Sequence, residues 1–363
     1  MRRRRWMDER GYADLVALCQ FLPGPASSQV GFAVGLLRAG YRGGLAAWLG
    51  FTLPSALALM AVGLGLGVYV DQLSNGLLQG LKIAAAAVVA HAVWSMARSL
   101  CPDITRVLLM LGAAALVLFS SGPVGPVAAI VVAGLAGWAL FKPPESDHAA
   151  SPWAVPVSRR AGLGWLALLA LLLGALPLLV ALFPLHWLAV TDAFFRVGSL
   201  VFGGGHVVLP LLQAEVVTTG WVDEQLFLAG YGLAQAVPGP LFTFAAFLGA
   251  AMEPAPNGWI GALIGLLAIF APSFLLVAGV LPFWAQVRES RPVRAALMTI
   301  KAAVVGILLA ALIDPIAIAV FTGPASVALT AMAVVALMKL RWPPWLIVIL
   351  CAAAGWALGL GSP

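Results

Sequence analysis

Charge is scarce in this chain. Only 9% of its 363 residues are Asp, Glu, Lys or Arg, whereas soluble domains carry about 25%, and that deficit excludes an ordinary solvated surface. Cysteine is scarce too. Cys19, Cys101 and Cys351 lie far apart with no C-x-x-C pair, so neither a disulfide framework nor a thiolate metal site is indicated. No G-x-x-x-x-G-K-[ST] phosphate loop occurs, which leaves ATP hydrolysis without a site. The expectation is no enzymatic activity and no cofactor, metal, nucleotide or redox centre. Arg2 to Arg5 look like the start of a secretory signal, but no apolar run with a cleavage site follows directly. What fills the chain is apolar: 62% hydrophobic, with a mean hydropathy of +1.03. This is the composition of an all-α polytopic membrane protein. The formal charge of +6 is no nucleic-acid signature, because the bases lie mostly in short loops, where they report orientation.

A helix needs about 20 apolar residues to cross the hydrocarbon core. Apolar segments run over 12–38, 44–70, 73–98, 103–121 and 122–141, and then over 162–183, 190–219, 223–252, 257–287, 292–313, 315–338 and 343–360. A polar, proline-containing linker, 142–161, separates the two sets and carries Lys142, Arg159 and Arg160. The organisation is therefore an N-terminal membrane repeat, 1–141, a cytoplasmic linker, 142–161, and a C-terminal membrane repeat, 162–363.

The second half repeats the first. Trp6-Met7-Asp8-Glu9 matches Trp221-Val222-Asp223-Glu224, an offset of 221 − 6 = 215, and Pro23 matches Pro238 at the same offset. Pro54-Ser55 matches Pro272-Ser273 (272 − 54 = 218) and Lys82 matches Lys301 (301 − 82 = 219). Gly137-Trp138-Ala139-Leu140 recurs as Gly355-Trp356-Ala357-Leu358. The copies are inverted, because the basic loops alternate. Arg38 and Arg42 follow the first broken segment where its counterpart has Glu253, and Asp71 stands where the counterpart has Arg288, Arg291 and Arg294. The positive-inside rule then assigns Arg38, Arg98, Lys142, Arg159, Arg288, Lys339 and Arg341 to the cytoplasm.

Within each repeat one apolar run is broken by Pro-Gly-Pro, at Pro23-Gly24-Pro25 and Pro238-Gly239-Pro240. Proline lacks the N–H and clashes with the preceding turn, so the helix stops there. A break inside lipid is tolerated only where protein or a watery cavity covers it. Paired breaks in corresponding places are the best sequence pointer to a transporter's binding site. If 12–38 crossed the membrane, Arg2 to Arg5 would lie outside, so a re-entrant hairpin is as consistent with the charges as a crossing. The same choice applies to 190–219 and 223–252.

These motifs resemble the chromate ion transporter (CHR) family in its long, two-repeat form. The resemblance is carried by Leu18-Cys19-Gln20-Phe21-Leu22-Pro23-Gly24-Pro25-Ala26-Ser27-Ser28-Gln29 in the first half. In the second it is carried by Phe202-Gly203-Gly204-Gly205-His206, Gly220-Trp221-Val222-Asp223-Glu224 and Gln235-Ala236-Val237-Pro238-Gly239-Pro240. It implies a bacterial inner-membrane protein that exports chromate and confers resistance to it. One departure stands out. In the family a Phe-Gly-Gly segment precedes Trp-x-Asp-Glu in both halves, whereas here Met1 stands immediately before Trp6 in the first half. Either the true start lies upstream or the protein is shortened.

A tetrahedral dianion needs converging donors of limited charge. Half-helix N-termini provide free N–H groups and a partial positive charge. Ser27 and Ser28 follow Gly24 at one such start, and Thr243 follows Gly239 at the other; the alternative is a merely kinked structural helix. Gly203, Gly204 and Gly205 let backbone N–H groups approach a ligand, or simply pack helices closely. His206 reads as an anion donor, a proton carrier or a structural hydrogen-bonder. Lys82 and Lys301 read as intramembrane site charges or as snorkelling side chains. Gln20 and Gln235 read as ligand donors or as caps for freed carbonyls. His91 has no counterpart and reads as structural. The Asp of each Trp-x-Asp-Glu reads chiefly as a helix cap. The expected partners are a chromate-type oxyanion and the lipid bilayer, with no nucleic acid; a homodimer is compatible with the sequence. The rival functions are transport of another oxyanion such as sulfate, a passive anion channel, or a nonfunctional membrane protein.

Overall fold

The structure is a computed structural model that describes residues 7–69, 74–120, 122–141 and 155–361. Arg2 to Arg5, Trp6, Asp71 and linker residues 142–154, with Lys142 among them, lie outside the described residues. Everything regular among the described residues is helical. The first half holds α1 (Glu9–Phe21), α2 (Ala26–Tyr69), α3 (Asn75–Leu100), α4 (Ile104–Leu118) and α5 (Val124–Leu140). The second holds α6 (Arg159–Leu182), α7 (His186–Leu200), α8 (Val208–Val216), α9 (Glu224–Ala236), α10 (Phe244–Ala251) and α11 (Gly258–Val280). It ends with α12 (Trp284–Glu289), α13 (Arg291–Ala311), α14 (Ile318–Val320), α15 (Pro324–Met338) and α16 (Pro344–Ala357). Five stretches are long and apolar enough to cross a membrane: Ala26–Leu66, Asn75–Leu100, Arg159–Leu182, Gly258–Glu289 and Arg291–Val320.

Local chemistry explains the boundaries. Asp8 caps α1 by accepting from the N–H of Gly11, and Asp223 caps α9 by accepting from Gln225 and Leu226. Both Trp-x-Asp-Glu stretches therefore start helices. The part of 12–38 that follows Pro-Gly-Pro joins the next segment in one long helix, Ala26–Tyr69, interrupted at Ala39 and Gly40, whose dihedrals leave the helical region. The segment 315–338 is not continuous. Asp314 is extended, and a second break at Phe321–Gly323 precedes α15.

The broken segments are helical hairpins whose two limbs return to one end of the bundle. Asp14, on α1, accepts from the Trp284 indole at 3.0 Å and pairs with Arg288 at 3.3 Å. Tyr41, where α2 resumes, accepts from the Trp165 indole at 2.8 Å. Leu15 and Leu18 of the outgoing limb share one apolar cluster with Val34 and Leu36 of the return limb, Val157 of the linker and Trp284. Both limbs thus close on the same end of the bundle. In the second half, Trp221 gathers the limb ends. His186, at the start of α7, stacks edge-on against Trp221 at 4.8 Å, and the N–H of Glu253, after α10, donates to the Trp221 carbonyl at 3.0 Å. A 13-residue limb such as α1 is about 20 Å long, enough to pass the middle of a core about 30 Å thick.

Helix α3 shows that the hairpins enter from opposite ends. Its N-terminal residues Asn75, Gln79 and Lys82 share a cavity with Glu224 and Gln225, whereas Ser99 and Leu100 share another with Asp14. The 26 residues of α3 rise about 39 Å, so these are opposite faces of the protein. The inversion read from the loop charges is thereby met by geometry.

The repeats do not sit side by side; they exchange helices. First-half α4 and α5 pack on second-half α13, and second-half α15 and α16 pack on first-half α3. Glycine makes this contact backbone-close. A Cβ at Gly355 would strike Gly76 and Gly80 of α3, and one at Gly137 would strike Ala295 and Thr299 of α13. The matched Gly-Trp pair of the sequence is this seam, made twice.

Re-entry has a direct test. In a background lacking Cys19, Cys101 and Cys351, Tyr12→Cys and Tyr41→Cys are expected to label from one side of the membrane, and Glu253→Cys from the other. An impermeant thiol reagent applied to intact cells and to everted vesicles reads this out. Labelling of positions 12 and 41 from opposite sides would mean that the first segment crosses.

Candidate functional site

Three helix breaks meet between the repeats. The N–H of Gly24 donates to the carbonyl of Val201 at 2.7 Å, which stitches the first Pro-Gly-Pro to the start of the Phe202-Gly203-Gly204-Gly205 break. A Cβ on Gly205 would lie 3.3 Å from Leu241, the first residue after the second Pro-Gly-Pro. Gly24 (φ +123°) and Gly239 (φ +154°) hold conformations that an L side chain rarely adopts. Each also presses on a serine of the opposite repeat. A Cβ at Gly24 would fall on Ser273 Oγ, and one at Gly239 would fall on Ser55 Oγ. The break of one repeat is seated on the Pro-Ser kink of the other, twice, in crossed fashion.

The site around the junction is polar inside an apolar wall. Gln29 Nε2 caps the freed Pro23 carbonyl at 2.6 Å, which leaves Gln29 Oε1 buried without a protein partner. The hydroxyls of Ser28, Thr52 and Ser273 are likewise buried and unpartnered. Each such group costs about 1–3 kcal/mol when left unsatisfied, so each calls for a polar partner, water or ligand. Phe32, Trp48, Phe270 and Phe274 form the wall, with Phe32 stacked on Phe274 at 4.6 Å and Trp48 edge-on to Phe274 at 5.2 Å. Across the junction His206 Nδ1 meets the Tyr231 hydroxyl at 3.0 Å. Gln235 lies beside Tyr231, and its Nε2 is buried without a partner.

The candidates read from the sequence divide accordingly. Gly24, Ser28, Gly205, His206, Gln235 and Gly239 belong to the junction. Gly203 (φ +82°) faces Met96 and Leu100, and Gly204 links it to Gly205. Gln20 and Ser27 lie on exposed faces of their helices. The carbonyl-capping role considered for Gln20 falls to Gln29, one turn inside the return limb. Thr243 is buried, but its hydroxyl donates to the Pro240 carbonyl at 2.7 Å, so that proton is engaged. The Gly24 N–H is engaged likewise by Val201. Lys82 and Lys301 do not share a site. Each lines its own cavity of about 400 Å³, at opposite ends of the bundle. The inversion causes this: equivalent positions away from the pseudo-two-fold axis are carried to opposite faces. His91 lies within electrostatic reach of His206.

Ser55, Ser273, Gln29 and Tyr231 were missed as site residues. The first two are visible in the sequence as the repeated Pro-Ser pair, but nothing in a linear pattern says that a kink on one helix seats a break from the other half. Also missed is the clamp on the α7–α8 hairpin, where Arg196 Nη2 meets Asp192 at 2.9 Å and Glu215 at 3.2 Å. The signal was present, as charges in an apolar run are functional candidates by default.

Residues 1–138 and 188–356 match the family model described as chromate transporter. The chain belongs to the chromate transporter family. A chromate transport protein of Pseudomonas aeruginosa is 28% identical over 313 residues, covering 85% of this chain and 72% of that protein. One of Cupriavidus metallidurans is 24% identical over 324 residues, covering 85% and 74%. An uncharacterized transporter of Methanocaldococcus jannaschii is 24% identical over 310 residues, covering 85% and 75%. No solved structure matches the chain. As a family member with these helices, it is a multi-pass membrane protein.

Two substitution series probe the junction. Gly24→Ala is expected to abolish transport and lower thermal stability, because it costs at least about 1–2 kcal/mol in backbone strain alone and collides with Ser273. Gly31→Ala, where a Cβ meets nothing within 4 Å, is expected to be neutral in both assays. Arg196→Leu leaves Asp192 and Glu215 buried without a cation, and is expected to destabilise by roughly 3–5 kcal/mol; Arg196→Lys should recover part of that. Melting of the purified protein in detergent measures both series.

Proposed function

We propose that the chain is a secondary transporter that exports chromate across the bacterial cytoplasmic membrane and thereby confers chromate resistance. The observation that carries this reading is the junction itself: three half-depth helix breaks that converge between inverted repeats around buried hydroxyls without partners. Such breaks are where carriers of this architecture bind their substrate, with half-helix N-termini directed at anionic groups. A tetrahedral dianion suits hydroxyl and amide donors that carry little net charge, because such a site binds and also releases. In this reading Ser28, Ser273, Thr52 and Gln235 supply donors, the start of the Ala26 half-helix supplies N–H groups, and His206 with Tyr231 orients the opposite wall.

Alternating access then amounts to a small rocking of one repeat against the other. The crossed seats, Gly24 on Ser273 and Gly239 on Ser55, are the places where the relative motion would be felt first. The membrane potential supplies the drive. One charge crossing 100 mV is worth about 2.3 kcal/mol, so a dianion leaving a negative interior gains about twice that. Sulfate has the same shape and charge as chromate and remains the competing substrate. A passive channel would instead carry current far above carrier turnover.

Replacing Pro238 and Gly239 together by Ala is expected to restore a continuous helix that still inserts, while chromate uptake into everted vesicles falls steeply. Excess sulfate, added to the wild-type assay, separates a chromate carrier from a general oxyanion carrier by the degree of competition. Normal uptake by the double variant at equal expression would reduce the break to a packing feature and sink the proposal.

A further inference from the structure

We propose that the cavity at the Leu100 end of α3 is a second oxyanion site, a capture vestibule separate from the junction. There Arg294 and Lys301 hold a tetrahedral dianion and the Asp14–Arg288 pair is the gate. The inference rests on the transport reading above and assigns the path by which the substrate reaches that site.

The cavity measures about 400 Å³ and is lined by four cations, Arg106, Arg288, Arg294 and Lys301, against one carboxylate, Asp14. Two of the cations have local partners. Arg288 meets Asp14 at 3.3 Å, and Arg106 meets Asp103 at 2.6 Å. Asp103 stays ionised for this task, because chiefly the backbone N–H of Arg106 holds its carboxyl below the usual range. Arg294 and Lys301 have no carboxylate partner among the described residues, and Arg294 Nε is buried without a hydrogen-bond acceptor. Both side chains are half-buried, and a cation withdrawn from water is normally paired, since desolvation is costly. Two unpaired cations in one cavity match the charge of one dianion.

Their placement is built into the helix. Arg294, Leu297, Met298 and Lys301 all line the cavity and follow the i, i+3, i+4, i+7 spacing of a single helix face. Arg294 and Lys301 are seven residues, about 10 Å, apart along the axis, a span that two long side chains converging on one ion readily close. Asp14 Oδ1 also accepts from the Trp284 indole, so the gate has a fixed resting position. A dianion that arrives at the cavity competes with Asp14 for Arg288.

One wall of the cavity borders the junction. Leu100 lines the cavity and is also 3.5 Å from where a Cβ of Gly203 would stand; Phe21 lines it as well, two residues before Pro23. The opposite end of the protein differs. There Lys82 shares its cavity with Glu224, and the neighbouring cavity, of about 330 Å³, adds Asp314 to Glu224 with no cation. The cationic vestibule is thus confined to the end that the positive-inside rule assigns to the cytoplasm. Fixed charges supply no net drive, but they raise the local concentration of the dianion on the side from which it is exported.

The test is equilibrium binding of labelled chromate to the full chain in phosphatidylcholine nanodiscs. The wild type is expected to bind saturably. Arg294→Gln with Lys301→Gln should weaken binding by about ten- to a hundredfold, from the loss of charge-assisted contacts, whereas Lys301→Arg should retain most of it. Asp14→Asn leaves Arg288 only its looser contact to Glu289, at 3.9 Å, and should tighten binding several-fold. The Pro238→Ala, Gly239→Ala double variant should still bind chromate even though it does not transport. If that variant loses binding while the double Gln variant keeps it, the junction is the only site, so the vestibule is overturned and the transport reading survives. If the wild type binds no chromate, both fall. If phosphatidylglycerol displaces chromate from the wild type, the cavity holds a lipid phosphate, and the proposal falls to that source. Monodisperse elution of each variant guards against misfolding.

Discussion

Every peptide group that a broken helix frees must find a partner in a medium without water. The Pro23 and Pro240 carbonyls find one within their own halves, in Gln29 and Thr243, and the remaining support comes from the other half. The Gly24 N–H goes to Val201, and Gly24 and Gly239 rest on Ser273 and Ser55. Neither break is tenable in its own repeat alone. The exchange of α4 and α5 for α15 and α16 follows the same logic at larger scale, because helices swapped between repeats draw the two breaks to one level. The polar junction exists because that demand is met incompletely. The Gly24 N–H and the Pro23 and Pro240 carbonyls have partners, while the hydroxyls of Ser28, Thr52 and Ser273 do not.

Much of this was legible in the sequence. Pro-Gly-Pro breaks a helix in any context, and Asp8 and Asp223 cap helices for reasons of local hydrogen bonding, so both could be read from neighbours alone. The repeat offsets and alternating loop charges carried the inversion. What the linear pattern did not hold is partnership. Gln20 stands three residues before Pro23 and Gln29 six after it, and only the direction of the return limb decides that Gln29 caps its carbonyl. Ser55 and Ser273 were visible as a repeat, but their role depends on a contact across halves.

Lys82 and Lys301 make the same point from the other direction. They are equivalent by sequence, and equivalence suggests a shared site. In an inverted repeat the symmetry axis lies in the membrane plane, so only residues near mid-depth are brought together. Lys82, in the first third of α3, and Lys301, halfway along α13, are carried apart. Their two cavities have consequently diverged, one electrically balanced by Glu224 and the other left with an excess of arginine and lysine.

The swapped helices also set an order of events during synthesis. When α3 enters the bilayer, the surfaces that cover Gly76 and Gly80 belong to α16, near the end of the chain. The half-depth hairpin of α1 and α2 must likewise wait for α11. The nascent first half therefore spends most of translation with polar breaks and glycine grooves facing lipid or the insertion machinery. Contacts this distant in sequence close slowly, so the final compaction is a late, chain-wide step, and a ribosome that stalls between the halves would leave behind a membrane intermediate that quality-control proteases can recognise.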